Sequence, residues 1–211
     1  MRIKWFSLIR ITGLLLVLLY HFFQTIFPGG FFGVDVFFTF SGFLITSLLL
    51  EEFGKARQID LLGFFKRRFY RIVPPVVLMV LVTMPFTFLI RQDYVAGIGG
   101  QIAGVLGFMT NFYEMLTGGS YESQFIPHLF VHNWSLAVEV HYYILWGLAV
   151  WFLSKRSKSS SQLRGMVFLL SAGAFIISFF SMFIGSLMAS SYSSVYFSSL
   201  THVYPFFLGS I

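Results

Sequence analysis

From Ile11 to Tyr20 the chain runs almost without a side chain that water could hold, bounded by a guanidinium at Arg10 and an imidazole at His21. Such a run constrains the fold before anything else does: it predicts a helix in a membrane. Eleven helical residues advance roughly 16 Å and return to within about 20° of the same face. Arg10 and His21 therefore share one stripe. An ionisable ring inside an apolar segment is costly and calls for a function.

The rest of the chain repeats the pattern. Its 211 residues are 57% hydrophobic and 20% aromatic, with 29 phenylalanines and only 10% charged residues. A water-soluble surface is excluded by those proportions, and an all-α polytopic bundle is expected. Thirteen of the fourteen Lys and Arg residues fall in 1–10, 51–71 and 154–164, alternating with apolar spans. The net charge of +6 is thus a topology signal that puts these stretches and the N-terminus in the cytoplasm, not a nucleic-acid patch. The chain has no cysteine, so disulfides and thiolate metal sites are excluded. No other metal-ligand spacing occurs; His128 and His132 lie four apart without further partners. No internal repeat is evident.

In order, helices are expected over about 7–27, 31–50, 72–90, 134–152, 166–188 and 198–211. The stretch 95–115 is either a further crossing or a re-entrant segment. Because 92–133 carries Asp93, Glu114 and Glu122 and no Lys or Arg, the reading that dips in from outside and returns is preferred. The sequence from Ile59 to Arg71 reads as an amphipathic helix on the inner interface, with Pro74-Pro75 opening the next span. The total is about six to seven membrane segments. The end at Leu208-Gly209-Ser210-Ile211 falls inside a helix, and the expectation is the N-terminal part of a larger membrane domain.

On this topology His21, Asp35 and Glu139 lie at similar depth and are expected to form one polar pocket. His21 is the candidate general base or transient acyl carrier. Glu139 either stabilises His21 or pairs with His141. Asp35 and Ser41 read as supporting residues, tying helix ends and allowing close packing, as does Trp134; Ser41 as a nucleophile is the less favoured reading. Arg10, Arg68 and Arg71 sit near the inner face, where they either bind the phosphates of an anionic donor or anchor lipid headgroups. The span from Arg10 to His21 is comparable to an extended pantetheine arm.

Four motifs occur together: Arg-x10-His at 10 and 21; Gly-Val-Asp-x-Phe-Phe-x-x-Ser-Gly-Phe-Leu at 33–44; Arg-x-x-Arg at 68 and 71; and Trp-Ser-Leu-x-x-Glu at 134–139. In this order they resemble the acyltransferase-3 family of integral membrane O-acyltransferases, and most of all its peptidoglycan O-acetyltransferases. The resemblance implies acetyl-CoA as cytoplasmic donor and a cell-surface glycan as acceptor. It makes Arg10, Arg68 and Arg71 the donor site, His21 the essential histidine with Glu139 beside it, and Tyr204 a candidate acyl relay. It also implies about ten helices and an extracytoplasmic esterase-like domain, a remainder this chain does not include, and a multi-pass location in the plasma membrane. A proton- or solute-conducting transporter built on His21, Asp35 and Glu139 is the rival expectation, and a structural membrane subunit the blander one.

Overall fold

The structure, a computed structural model, describes residues 4–23, 25–89, 95–117, 128–189 and 192–211. Among these residues all regular structure is helical: α1 (Lys4–Phe22), α2 (Gly33–Ala56), α3 (Leu61–Thr83), α4 (Ile98–Leu106), α5 (Thr110–Thr117), α6 (Trp134–Arg156), α7 (Ser160–Met188), α8 (Tyr192–Tyr196) and α9 (Tyr204–Ser210). Short 3-10 turns join several of them. Four stretches are long and apolar enough to cross a membrane: Gly29–Ala56, Leu61–Thr87, Val131–Arg156 and Ser160–Met188. The outward faces of α3 and α7, with Leu78, Leu81, Leu169, Ile177 and Phe183 exposed, are those of helices that meet lipid. The chain is an all-α polytopic membrane bundle.

Beside these four spans among the described residues stands the 19-residue α1, against an expectation of six to seven segments. The apolar part of α1 covers Ile11–Phe22, and the chain leaves the helix five residues before the expected end at 27. The expected interfacial helix and the span at 72–90 are a single helix, α3. Asp60 starts it, its side chain accepting from the Gly63 N–H at 2.9 Å, and it continues through the exposed Pro74 and Pro75. Prolines inside a membrane helix are tolerated where neighbours supply the packing. Arg68 and Arg71 consequently lie about 10–15 Å along a span, not on a separate surface helix.

The stretch 95–115 does not cross once. It breaks at Gly107 and Phe108, where Phe108 takes a φ of 53°, into α4 and α5, which are 9 and 8 residues long. Each covers under half of a ~30 Å core, and they fold back on one another, with Thr110 and Tyr113 of α5 against the Gly100 and Gly104 face of α4.

The core lies along α2 and α6, where Ile45, Leu49, Trp134, Val138 and Val150 are buried. Across them lies α9, whose Phe206 stacks on Phe38 and Tyr142 at 4.2 and 4.4 Å between ring centroids. The crossing is a contact of backbones. A Cβ on Gly42 would stand 1.9 Å from the Phe206 carbonyl oxygen, and one on Gly209 only 1.8 Å from that of Thr39. Beside it a buried hydroxyl cluster ties three helices. Trp146 Nε1 donates to Thr46 Oγ1 at 2.8 Å, Thr46 donates to Ser210 Oγ at 2.9 Å, and the Tyr142 hydroxyl meets Ser210 Oγ at 2.7 Å.

Gly42→Ala and Gly209→Ala should each cost about 1–3 kcal/mol or more, because backbone cannot move aside for the new methyl. Gly173, with nothing near its missing Cβ, is the control: Gly173→Ala should be neutral or stabilising by up to about 1 kcal/mol. Thermal melts in detergent compare the three.

On the α4–α5 hairpin Glu114 is buried, and His128 Nδ1 donates to its Oε2 at 2.8 Å. Burial raises the Glu114 carboxyl above the usual carboxylate range, with His128 pulling the other way. A raised folded-state pKa means that the acid's contribution is full below its unfolded value of about 4.3 and is lost as pH rises through the folded one. Glu114→Gln should therefore melt progressively higher relative to wild type between pH 5 and pH 8.

Candidate functional site

His21 occupies the last turn of α1 and looks into a cavity of about 520 Å³ between α1, α2 and α6. Its Nδ1 donates to the Val17 carbonyl, one turn back, at 2.8 Å. That bond fixes the tautomer, because a carbonyl can only accept, and leaves Nε2 as the basic nitrogen of the neutral ring. The ring of His132 meets that of His21 edge-on, 4.9 Å between centroids.

Ser41 of α2 and Glu139 of α6 line the same cavity. The Ser41 hydroxyl donates to Glu139 Oε1 at 2.7 Å, and the Tyr143 hydroxyl donates to the same oxygen. The carboxylate is therefore held by hydroxyls, not by His21, and both bonds fall on Oε1. The pairing of Glu139 with His141 does not occur. His141 Nδ1 lies 2.8 Å from Ser199 Oγ instead.

On the other side of α6 lies a second cavity, about 640 Å³, walled by Phe65, Ile72, Val73, Phe108, Val140 and Ile144, with Lys66, Arg68, Tyr70 and Tyr143 as its polar members. Arg68 is half-buried there, and its Nε is buried without a hydrogen-bond partner. A guanidinium donor left in that state is suited to an anion. Arg71 is exposed and does not line the cavity, so the two arginines do not converge on one pocket; Lys66 takes the second cationic place. The Arg10 side chain lies outside the described residues, and the stripe shared with His21 goes unmeasured.

Asp35 does not join the cavity of His21 and Glu139. It meets His202 Nε2 at 2.8 Å, with the Tyr204 phenol beside it, while His202 Nδ1 donates to the Tyr196 carbonyl at 2.7 Å. His202 lies stacked on Trp134, 5.3 Å between centroids, and on Tyr204 at 6.0 Å. The single pocket expected for His21, Asp35 and Glu139 is thus two neighbouring networks, with Trp134 the wall between them. A conduction path needs its titratable groups in one channel, and these three are not. Tyr204 faces Asp35 and is absent from the lining of the His21 cavity, so the phenol is not placed to receive an acyl group from that ring.

Sequence reasoning missed Tyr143, His202 and the contact of His132 with His21. Tyr143 carried a signal: it stands four residues after Glu139, on the same helix face. His202 carried none, because its partner is 167 residues away.

His202→Ala strips Asp35 of its imidazole partner and opens the aromatic stack. The expected loss is about 3 kcal/mol, read from thermal melts in detergent, with Glu139 and its cavity left intact.

The acyltransferase-3 family, described as "Acyltransferase domain", matches residues 3–211. The chain is 32% identical over 205 residues to O-acetyltransferase OatA of Staphylococcus aureus, both from strain NCTC 8325 / PS 47 and from strain COL. That alignment covers 96% of this chain and 33% of the relative, so the chain spans about a third of the length of the curated relatives it matches. No solved structure matches. With a family match running from its third residue to its last, over a membrane bundle that sets an imidazole and a carboxylate in one cavity, the chain belongs to the acyltransferase-3 family.

Proposed function

We propose that this chain carries the membrane part of an O-acetyltransferase, which takes acetyl from acetyl-CoA on the cytoplasmic side and passes it to a hydroxyl of an extracytoplasmic glycan. The observation that carries the reading is the His21 cavity: a ring with a fixed tautomer and the Glu139 carboxylate line the same space. The likeness to peptidoglycan O-acetyltransferases makes peptidoglycan the glycan class. The basic clusters support an N-terminus on the inner side, and the family likeness supports the plasma membrane.

His21 Nε2 takes the proton of the acceptor hydroxyl as that oxygen attacks the thioester carbonyl. The C–O bond forms and the C–S bond breaks, and the imidazolium returns the proton to the departing thiolate. Glu139, which lines the same cavity, stabilises the imidazolium while it exists. Arg68 and Lys66 fit the anionic end of the donor, the buried Nε of Arg68 being a donor in want of an acceptor, and the apolar walls suit its slender arm.

The test is made on the full-length protein in membranes supplied with labelled acetyl-CoA. His21→Ala should abolish acetyl transfer, while Arg68→Ala should raise the donor KM by about ten- to a hundredfold. Transfer that survives His21→Ala at the parent rate would overturn the reading. So would solute flux that depends on His21 without any release of CoA.

A further inference from the structure

Helix α6 separates the two cavities, and consecutive residues face opposite sides: Leu136 and Glu139 line the His21 cavity, whereas Val140, Tyr143 and Ile144 line that of Arg68. Tyr143 belongs to the second group by its ring and to the first by its hydroxyl, which donates to Glu139 Oε1. It is buried, in contact with the core. Among the described residues it is the member of the Arg68 cavity that hydrogen-bonds into the other one.

We propose that Tyr143 is a positioning residue with two separable effects. Its hydroxyl, together with that of Ser41, holds Glu139 by Oε1 and so fixes the carboxylate where it lines the cavity of His21. While no donor is bound, its ring closes the gap between the donor-side and acceptor-side cavities, keeping water and small solutes from passing along α6, and it yields that gap to the thioester end of the donor's arm. The first effect rests on the acetyl-transfer reading above; the second stands on the geometry alone. Neither requires Tyr143 to touch a reacting atom. A side chain that both aims a carboxylate and seals the space behind it lets a thioester be presented to a base without opening a leak.

No cysteine occurs in these 211 residues, so a single introduced thiol can be read directly once any cysteine elsewhere in the full-length protein is replaced by serine. Ser135 lines the His21 cavity and takes no part in holding Glu139, so Ser135→Cys in the full-length protein reports on that cavity. The probe is an anionic methanethiosulfonate reagent, applied to right-side-out cells and to inverted membrane vesicles. The parent should label from one side only. Adding Tyr143→Ala should allow labelling from both sides, and adding Tyr143→Phe, which keeps the ring, should not. If Tyr143→Ala fails to insert, Tyr143→Val carries the same test. Labelling of the parent from both sides, or one-sided labelling of the folded small-residue variant, overturns the seal.

In acetyl transfer, Tyr143→Phe should lower kcat by about ten- to a hundredfold with the donor KM unchanged. The double variant Tyr143→Phe, Glu139→Gln should be no slower than Glu139→Gln alone, because the two act through one group. A parent kcat in Tyr143→Phe, or additive losses in the double variant, overturns the positioning role. If the parent itself transfers no acetyl, the function reading fails while the labelling experiment still decides the seal.

Discussion

A carboxylate inside an apolar slab must be held by something, and this bundle is arranged around the holding of two. Glu139 is fixed by hydroxyls from α2 and from its own helix, and Asp35 by an imidazole from the C-terminal turn, with a phenol of α9 beside it. Neither arrangement can form until helices distant in the chain have come together. With no water to take over a lost bond, the polar contacts specify which helices pair, and the aromatic surfaces of Phe38, Trp134 and Phe206 then fill the space around them.

The same scarcity of water gives the site its character. Glu139 is engaged at one oxygen, and His21 has one nitrogen engaged with Val17 and the other basic. Each group is tied to the scaffold through one named atom and borders the cavity. That arrangement keeps two ionisable groups oriented at modest cost, without the direct ion pair that would consume both.

Much of this was legible in the sequence. Apolar runs of helical length, separated by basic clusters, announced the membrane bundle, and the similar expected depth of His21 and Glu139 announced a shared cavity. What lay hidden depended on long-range packing. Asp35 stood at the same expected depth as His21, but depth does not fix azimuth, and His202 drew it into a separate network. Pro74-Pro75 read as a boundary because prolines end helices in water; in α3 they sit inside one continuous rod. Arg68 and Arg71 read as a pair from their three-residue spacing, yet Arg68 turns into a cavity while Arg71 remains outside it.

The docking of α9 on α2 bears on the order of synthesis. Thr46 and Gly42 leave the ribosome more than 160 residues ahead of Ser210 and Phe206. At ordinary translation rates that interval is roughly ten to thirty seconds. Throughout it α2 stands in the bilayer with a bare backbone groove at Gly42. The groove is then a temporary vacancy that any small-faced neighbour could fill, and α9 must displace such a visitor for the bundle to close.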